Sequence, residues 1–108
     1  MANTFKSAAT GSTTAVTTLY TCPAATSAVV HAMYLSNVDG TNDATVTVSV
    51  SGSANFSTRR YLLKTVDVPA DSTVVIEKPI NLGAADKLET QASANDDIDV
   101  FASILEIT

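Results

Sequence analysis

Residues 44–50 read ATVTVSV, and this stretch decides the fold. Successive side chains of an extended chain point to opposite faces, so Ala44, Val46, Val48 and Val50 share one side and Thr45, Thr47 and Ser49 the other. A helix would scatter the same valines around its circumference. β-branched residues also lose rotamer freedom in a helix and pack well on a pleated surface. The segment is therefore a strand with its valines facing in and its hydroxyls facing out.

Reading outward, NVDGTND (37–43) carries Asp-Gly and Asn-Asp, a turn-rich connection. Before it, SAVVHAMYLSNV (27–38) is apolar on both alternating sets, which predicts a strand covered on both faces. TAVTTLYTC (14–22) is a β-rich run stopped by Pro23, which has no ladder donor. After SGSANFS come TRRYLLKTVDV, STVVIEKPI, KLETQASA and IDVFASILEI, separated by PAD, NLGAAD and NDD. In the last run Ile98, Val100, Ala102 and Ile104 hold one face, then Leu105 and Ile107 change parity, which a β-bulge would explain. Residues 1–13 are small and polar and are expected to form an N-terminal arm or a first edge strand ahead of a domain over 14–108. With roughly eight strands, short turns and no credible helix, the expected fold is an all-β, single-domain antiparallel sandwich of jelly-roll type.

Composition agrees. The chain is 108 residues, 45% hydrophobic, without Trp, and its apolar content is mostly Ala and Val, which suits thin pleated layers. A net charge of -5 argues against a general nucleic-acid binder, because phosphate contact needs clustered cations. One cysteine, Cys22, excludes an internal disulfide and a thiolate metal cluster. No signal-like opening and no long apolar run is present, so the expectation is a protein made in the cytoplasm, neither exported by a signal nor embedded in a membrane.

Two turns repeat a pattern: Pro23-Ala24 and Pro69-Ala70 each follow an extended run, fix φ at a corner, and lead to a Val-Val strand. Together with LYTCPAATSAVVHAMYLSNVDGTNDATVTVSV, YLLKTVDVPADSTVVIEKPINLGAADKLETQAS and DIDVFASILEI, this pattern resembles a family of small virion structural proteins of tailed bacteriophages, notably marine and cyanobacterial ones. The resemblance spans residues 17–108. It implies a β-sandwich component of capsid, neck or tail with no enzymatic role and no cofactor. The chain departs from the family where glycine is common: Ala25, Asp71 and Ala85 stand in the turns, so the turn types are expected to differ.

Each candidate site also has a plainer reading. Cys22 and His31 are the only residues of their kinds, but no orienting group accompanies them, and each is expected to be structural. Asn37, Asp39, Asn42 and Asp43 offer oxygens of the kind calcium takes, yet the loop lacks the distal Glu and flanking helices of an EF-hand, so side chains capping their own turn are expected. Asn95, Asp96, Asp97 and Asp99 read the same way. Phe5, Phe56, Arg59 and Arg60 are the candidate partner contacts, aromatic anchors and a basic pair in an acidic chain. The expected role is capsid decoration: a multicopy or homo-oligomeric protein bound to the major capsid protein or another virion component. A tail, neck or fibre position and a small carbohydrate- or calcium-binding module are the alternatives.

Overall fold

A computed structural model describes residues 2–52 and 59–108. Nine strands follow in order: β1 (Asn3–Ser12), β2 (Thr17–Thr21), β3 (Ser27–Asn37), β4 (Ala44–Ser51), β5 (Arg60–Val68), β6 (Thr73–Ile76), β7 (Ile80–Leu82), β8 (Lys87–Ala92) and β9 (Ile98–Ile107). One sheet runs β1-β9-β3-β6, with β7 also on β3, and the other runs β2-β8-β4-β5. All pairings are antiparallel. The pairs β1·β9, β2·β8, β3·β6/β7 and β4·β5 are the rungs of one long hairpin ribbon, folded at the β4–β5 connection. Rolling that ribbon brings β9 against β3 and β8 against β4, which is the jelly-roll connectivity. β6 and β7 occupy a single ribbon position, interrupted at Pro79, which cannot donate to the ladder. That break gives nine strands where about eight were expected.

The core lies between the sheets and is built from thin side chains: Val30, Val46, Val48, Val68, Val100 and Ala102, filled out by Met33, Leu35, Leu88, Ile98 and Ile104. Val46 and Val48 are fully buried, as the alternation of β4 requires. Thr47 and Ser49 point away from the core yet are buried too. The Thr65 N–H, turned by a left-handed φ of 48° in β5, donates to Thr47 Oγ1, and Arg59 Nε donates to Ser49 Oγ.

Two strand expectations are corrected. β3 is not covered on both faces. Its register against β9 shifts between Val30 and Ala32, so His31 is an extra residue and parity changes there. Ala28 and Val30 face in before the bulge and Met33, Leu35 and Asn37 after it, leaving Val29, His31 and Tyr34 outside. β9, by contrast, keeps its parity to the end. The inward position after Ile104 is taken by Glu106, and Leu105 and Ile107 stay on the outer face. The bulge that was expected in β9 sits in its neighbour.

The corners contain a third surprise. Ala25, Asp71 and Ala85 have φ of 55°, 58° and 68°, so each of these turns holds a residue in the conformation that glycine adopts without cost. Ser72 N donates to Pro69 O and Asp86 N to Gly83 O, closing four-residue turns with the left-handed residue third, as in type II. The β2–β3 and β7–β8 corners are joined to each other through Cys22 N to Asp86 O and Ala85 N to Cys22 O. The lack of glycine therefore does not keep these turns out of the left-handed region.

Candidate interaction surfaces

Because residues alternate along every strand, the outer face of the β1-β9-β3-β6 sheet follows from its registers. Phe5, Leu105, Val29 and Asn81 form one row across the strands, and Ala9, Phe101, Tyr34 and Val75 form another. Between them lies a row of small residues, Ser7, Ser103 and Ala32. Phe5 is 78% exposed, and Tyr34, Phe101 and Val75 are also exposed. Phe5 lies against His31 with ring centroids 6.4 Å apart, and Tyr34 against Phe101 at 6.2 Å, both tilted pairs. A groove of about 420 Å³ opens among Ala9, Thr10, Tyr34 and Phe101. Asp99 is the one acidic side chain in the strand rows of this face.

The other outer face is polar. Thr45, Thr47 and Ser49 of β4 stand beside Lys87, Glu89 and Gln91 of β8. Arg59 is held against this face by its bond to Ser49 Oγ, with its Nε 3.9 Å from Glu89 Oε1. Tyr61 receives two cations, the Arg59 guanidinium 4.8 Å from its ring centroid and Lys64 Nζ 5.0 Å away. β5 ends its sheet, and no strand among the described residues pairs its second side. Arg60, Tyr61, Leu62 and Lys64 are exposed along it. Arg59 and Arg60 therefore do different things: the first is packed against its own sheet and the second faces solvent. Phe5 lies on the apolar face, and Phe56 lies outside the described residues.

At one end of the sandwich the β3–β4, β5–β6 and β8–β9 loops meet, bringing Asp39, Asp43, Asp71, Asp96 and Asp97 to one region. Their oxygens serve the loops. Asp39 Oδ1 accepts from Thr41 N at 2.9 Å and Asn42 N at 3.3 Å, and those N–H groups hold its carboxyl below the usual carboxylate range. Asp43 Oδ1 accepts from Ala70 N at 3.0 Å. Asn37 is buried, donates to Asn42 O and Val68 O, and accepts from Asp39 N. Among the described residues no group of three or more His, Cys, Asp or Glu side chains is placed to hold a metal ion.

Inside the opposite end sits a polar cluster that the sequence did not signal. Glu106 accepts from the Tyr20 hydroxyl and lies 3.2 Å from Lys6 Nζ, joining β9, β2 and β1. The Tyr20 bond, with Lys6 behind it, lowers the Glu106 carboxyl below its ordinary value. Burial, then the Glu106 bond, raises the Tyr20 phenol. Cys22 is buried, its thiol directed at Thr26 O and Leu82 O and raised by burial and by the nearby Glu106 and Asp86 charges. His31 lies on the outer face of the sheet, so the lone thiol and lone imidazole do not share a site. No protein-family model, no curated protein and no solved structure matches the chain.

Proposed function

We propose that the chain is a structural protein of a bacteriophage particle, most simply a decoration protein fixed in many copies to the outer shell. The observation that carries this reading is the chemical difference between its two outer faces. One is apolar and ring-bearing; the other is polar and ends in β5, which no strand among the described residues pairs on its second side and which carries Arg60, Tyr61, Leu62 and Lys64. An exposed apolar patch of this kind marks a protein contact, and an open antiparallel edge accepts a partner strand through main-chain hydrogen bonds. The resemblance of residues 17–108 to small virion proteins supplies the setting. Clips laid across subunit seams bind the assembled shell and not its separated parts, and thereby stabilise it.

A tail or fibre position would be favoured by aromatic side chains gathered on loops. Among the described residues the exposed rings of Phe5, Tyr34, Tyr61 and Phe101 lie on strands, which favours broad face contacts over a loop-borne receptor site. Quantitative mass spectrometry of gradient-purified particles tests the reading. Copies in the hundreds are expected for a shell protein, whereas about six, twelve or eighteen would move the protein to neck or tail, as the symmetries of those parts require. Absence of the chain from particles would overturn the proposal.

A further inference from the structure

We propose that the apolar face of the β1-β9-β3-β6 sheet pairs with the same face of a second copy of this chain, strands antiparallel, about a two-fold axis running along the Ser7–Ser103 row. The register makes the face self-complementary. Phe5 lies two residues to one side of Ser7 on β1, and Ala9 lies two residues to the other side. A two-fold along the serine row stacks β1 on β1 with direction reversed, so each Phe5 falls over Ala9 of its partner. That is the position of the groove lined by Ala9, Thr10, Tyr34 and Phe101. The most exposed ring of the face thus meets the depression in the same sheet, and small side chains at Ser7, Ser103 and Ala32 let the two layers approach at the axis.

Size and charge agree with this occupant. From Asn3 to Gly11 the face is eight residue steps long, about 27 Å, and four strands wide, about 19 Å, so its projected area is on the order of 500 Å². Two such faces bury about 1,000 Å² before side-chain relief is counted, which reaches the size a specific interface needs. The chain carries a net charge of -5, and any pairing that joined its acidic loop ends would be repulsive. Antiparallel stacking sends the two loop ends, with Asp39, Asp43 and Asp71, to opposite extremes of the dimer. The pairing holds or fails independently of the virion reading, since it requires only the purified chain.

Sedimentation velocity over a concentration series, from about 1 to 100 µM, the range that spans weak to firm association, tests it directly. The expected result is a reversible species of twice the 11.2 kDa chain mass. Phe5→Asp, on an exposed position, is expected to weaken association at least tenfold while leaving the circular dichroism spectrum unchanged, and Leu62→Asp on the far face to leave association as it is. Ser7→Cys in the full chain is expected to give a covalent dimer with a short bis-maleimide, and Lys64→Cys to give none. A wild-type chain that stays monomeric throughout overturns the proposal. So does a trimer or larger ring, or a dimer that survives Phe5→Asp and fails to cross-link through Ser7→Cys. Should Phe5→Asp fail to fold, the Ser7→Cys cross-link decides alone.

Discussion

Replacing Ala85 with glycine should make the protein more stable, and replacing its neighbour Ala84 should make it less so. Ala85 has φ of 68°, where the Cβ of an L-residue crowds the following carbonyl. It is held there by its own N–H to Cys22 O at 2.9 Å and by the turn bond from Asp86 N to Gly83 O. Relief of that crowding is worth about 1–2 kcal/mol. Against it stands the extra freedom glycine gives the unfolded chain, about 0.4–1 kcal/mol. The net gain is therefore about 0.5–1 kcal/mol, or roughly 2–5 °C in melting midpoint for a domain of this size. Ala84 does not have a positive φ, so Ala84→Gly incurs the entropy without the relief and should lower the midpoint by a similar amount. Both side chains are exposed, so neither substitution removes core packing.

The same pair of substitutions at Ala25 and Ala24 repeats the comparison in the β2–β3 corner, where Ala25 has φ of 55°. Urea denaturation with a two-state fit reads the sign, with an unchanged m-value confirming that only stability has moved. The two corners share hydrogen bonds through Cys22, so the Ala25→Gly, Ala85→Gly double variant need not be additive. If Ala85→Gly and Ala84→Gly shift stability in the same direction, the left-handed residues carry no strain and the account of these turns is wrong.

Removing Met1–Thr13 takes away a strand paired with β9 from Asn3 to Ser12, along with the buried Ser12 and the Lys6 partner of Glu106, so a fall in melting midpoint of about 10 °C or more is expected by calorimetry. A truncated chain that melts like the full one would show β1 to be a dispensable arm. Because the folded state lowers the Glu106 carboxyl, its stabilisation is fully present above the ordinary unfolded value and is lost as pH falls through the folded one. Melting midpoints from pH 6 to pH 3 should therefore drop less steeply in Glu106→Gln than in wild type. The Cys22 thiol, buried and raised, should react with a disulfide reagent at pH 8 only slowly in the native chain and at once in denaturant. Millimolar calcium should leave the melting midpoint unmoved, since Asp39 and Asp43 already accept from Thr41, Asn42 and Ala70 N–H groups.

How much of this was legible in the sequence depended on whether a property belongs to one strand or to several. The alternation of β4 is a one-strand property, and Val46 and Val48 lie where it puts them. The turns were legible as turns because Pro sets φ locally, but the left-handed residues were not, since Ala85 and Asp71 donate from that conformation to Cys22 O and Asp39 O, partners that lie in other connections. Glu106 was misread for a related reason. Hydropathy alone turns Leu105 and Ile107 inward, and a carboxylate takes the inward position only because Tyr20 and Lys6, from two other strands, are there to meet it.

The apolar face is the extreme case. Phe5 and Phe101 lie on this face, Phe101 where the alternation of β9 puts it, but the place of Tyr34 was hidden. Counting parity from Ala28 puts Tyr34 on the same side as Val30, and only the extra residue at His31 moves it outside. That bulge is fixed by the register of β3 on β9, with Val30 opposite Ile104 and Ala32 opposite Ser103, and neither strand encodes it alone. Without the bulge, Met33 and Leu35, both fully buried, would face solvent and Tyr34 would take an inward position in their place. The packing demand of that core thus forces the parity change, and the parity change in turn places Tyr34 beside Phe101 on the outside. The surface best suited to contact is, on this view, a consequence of how the interior is filled.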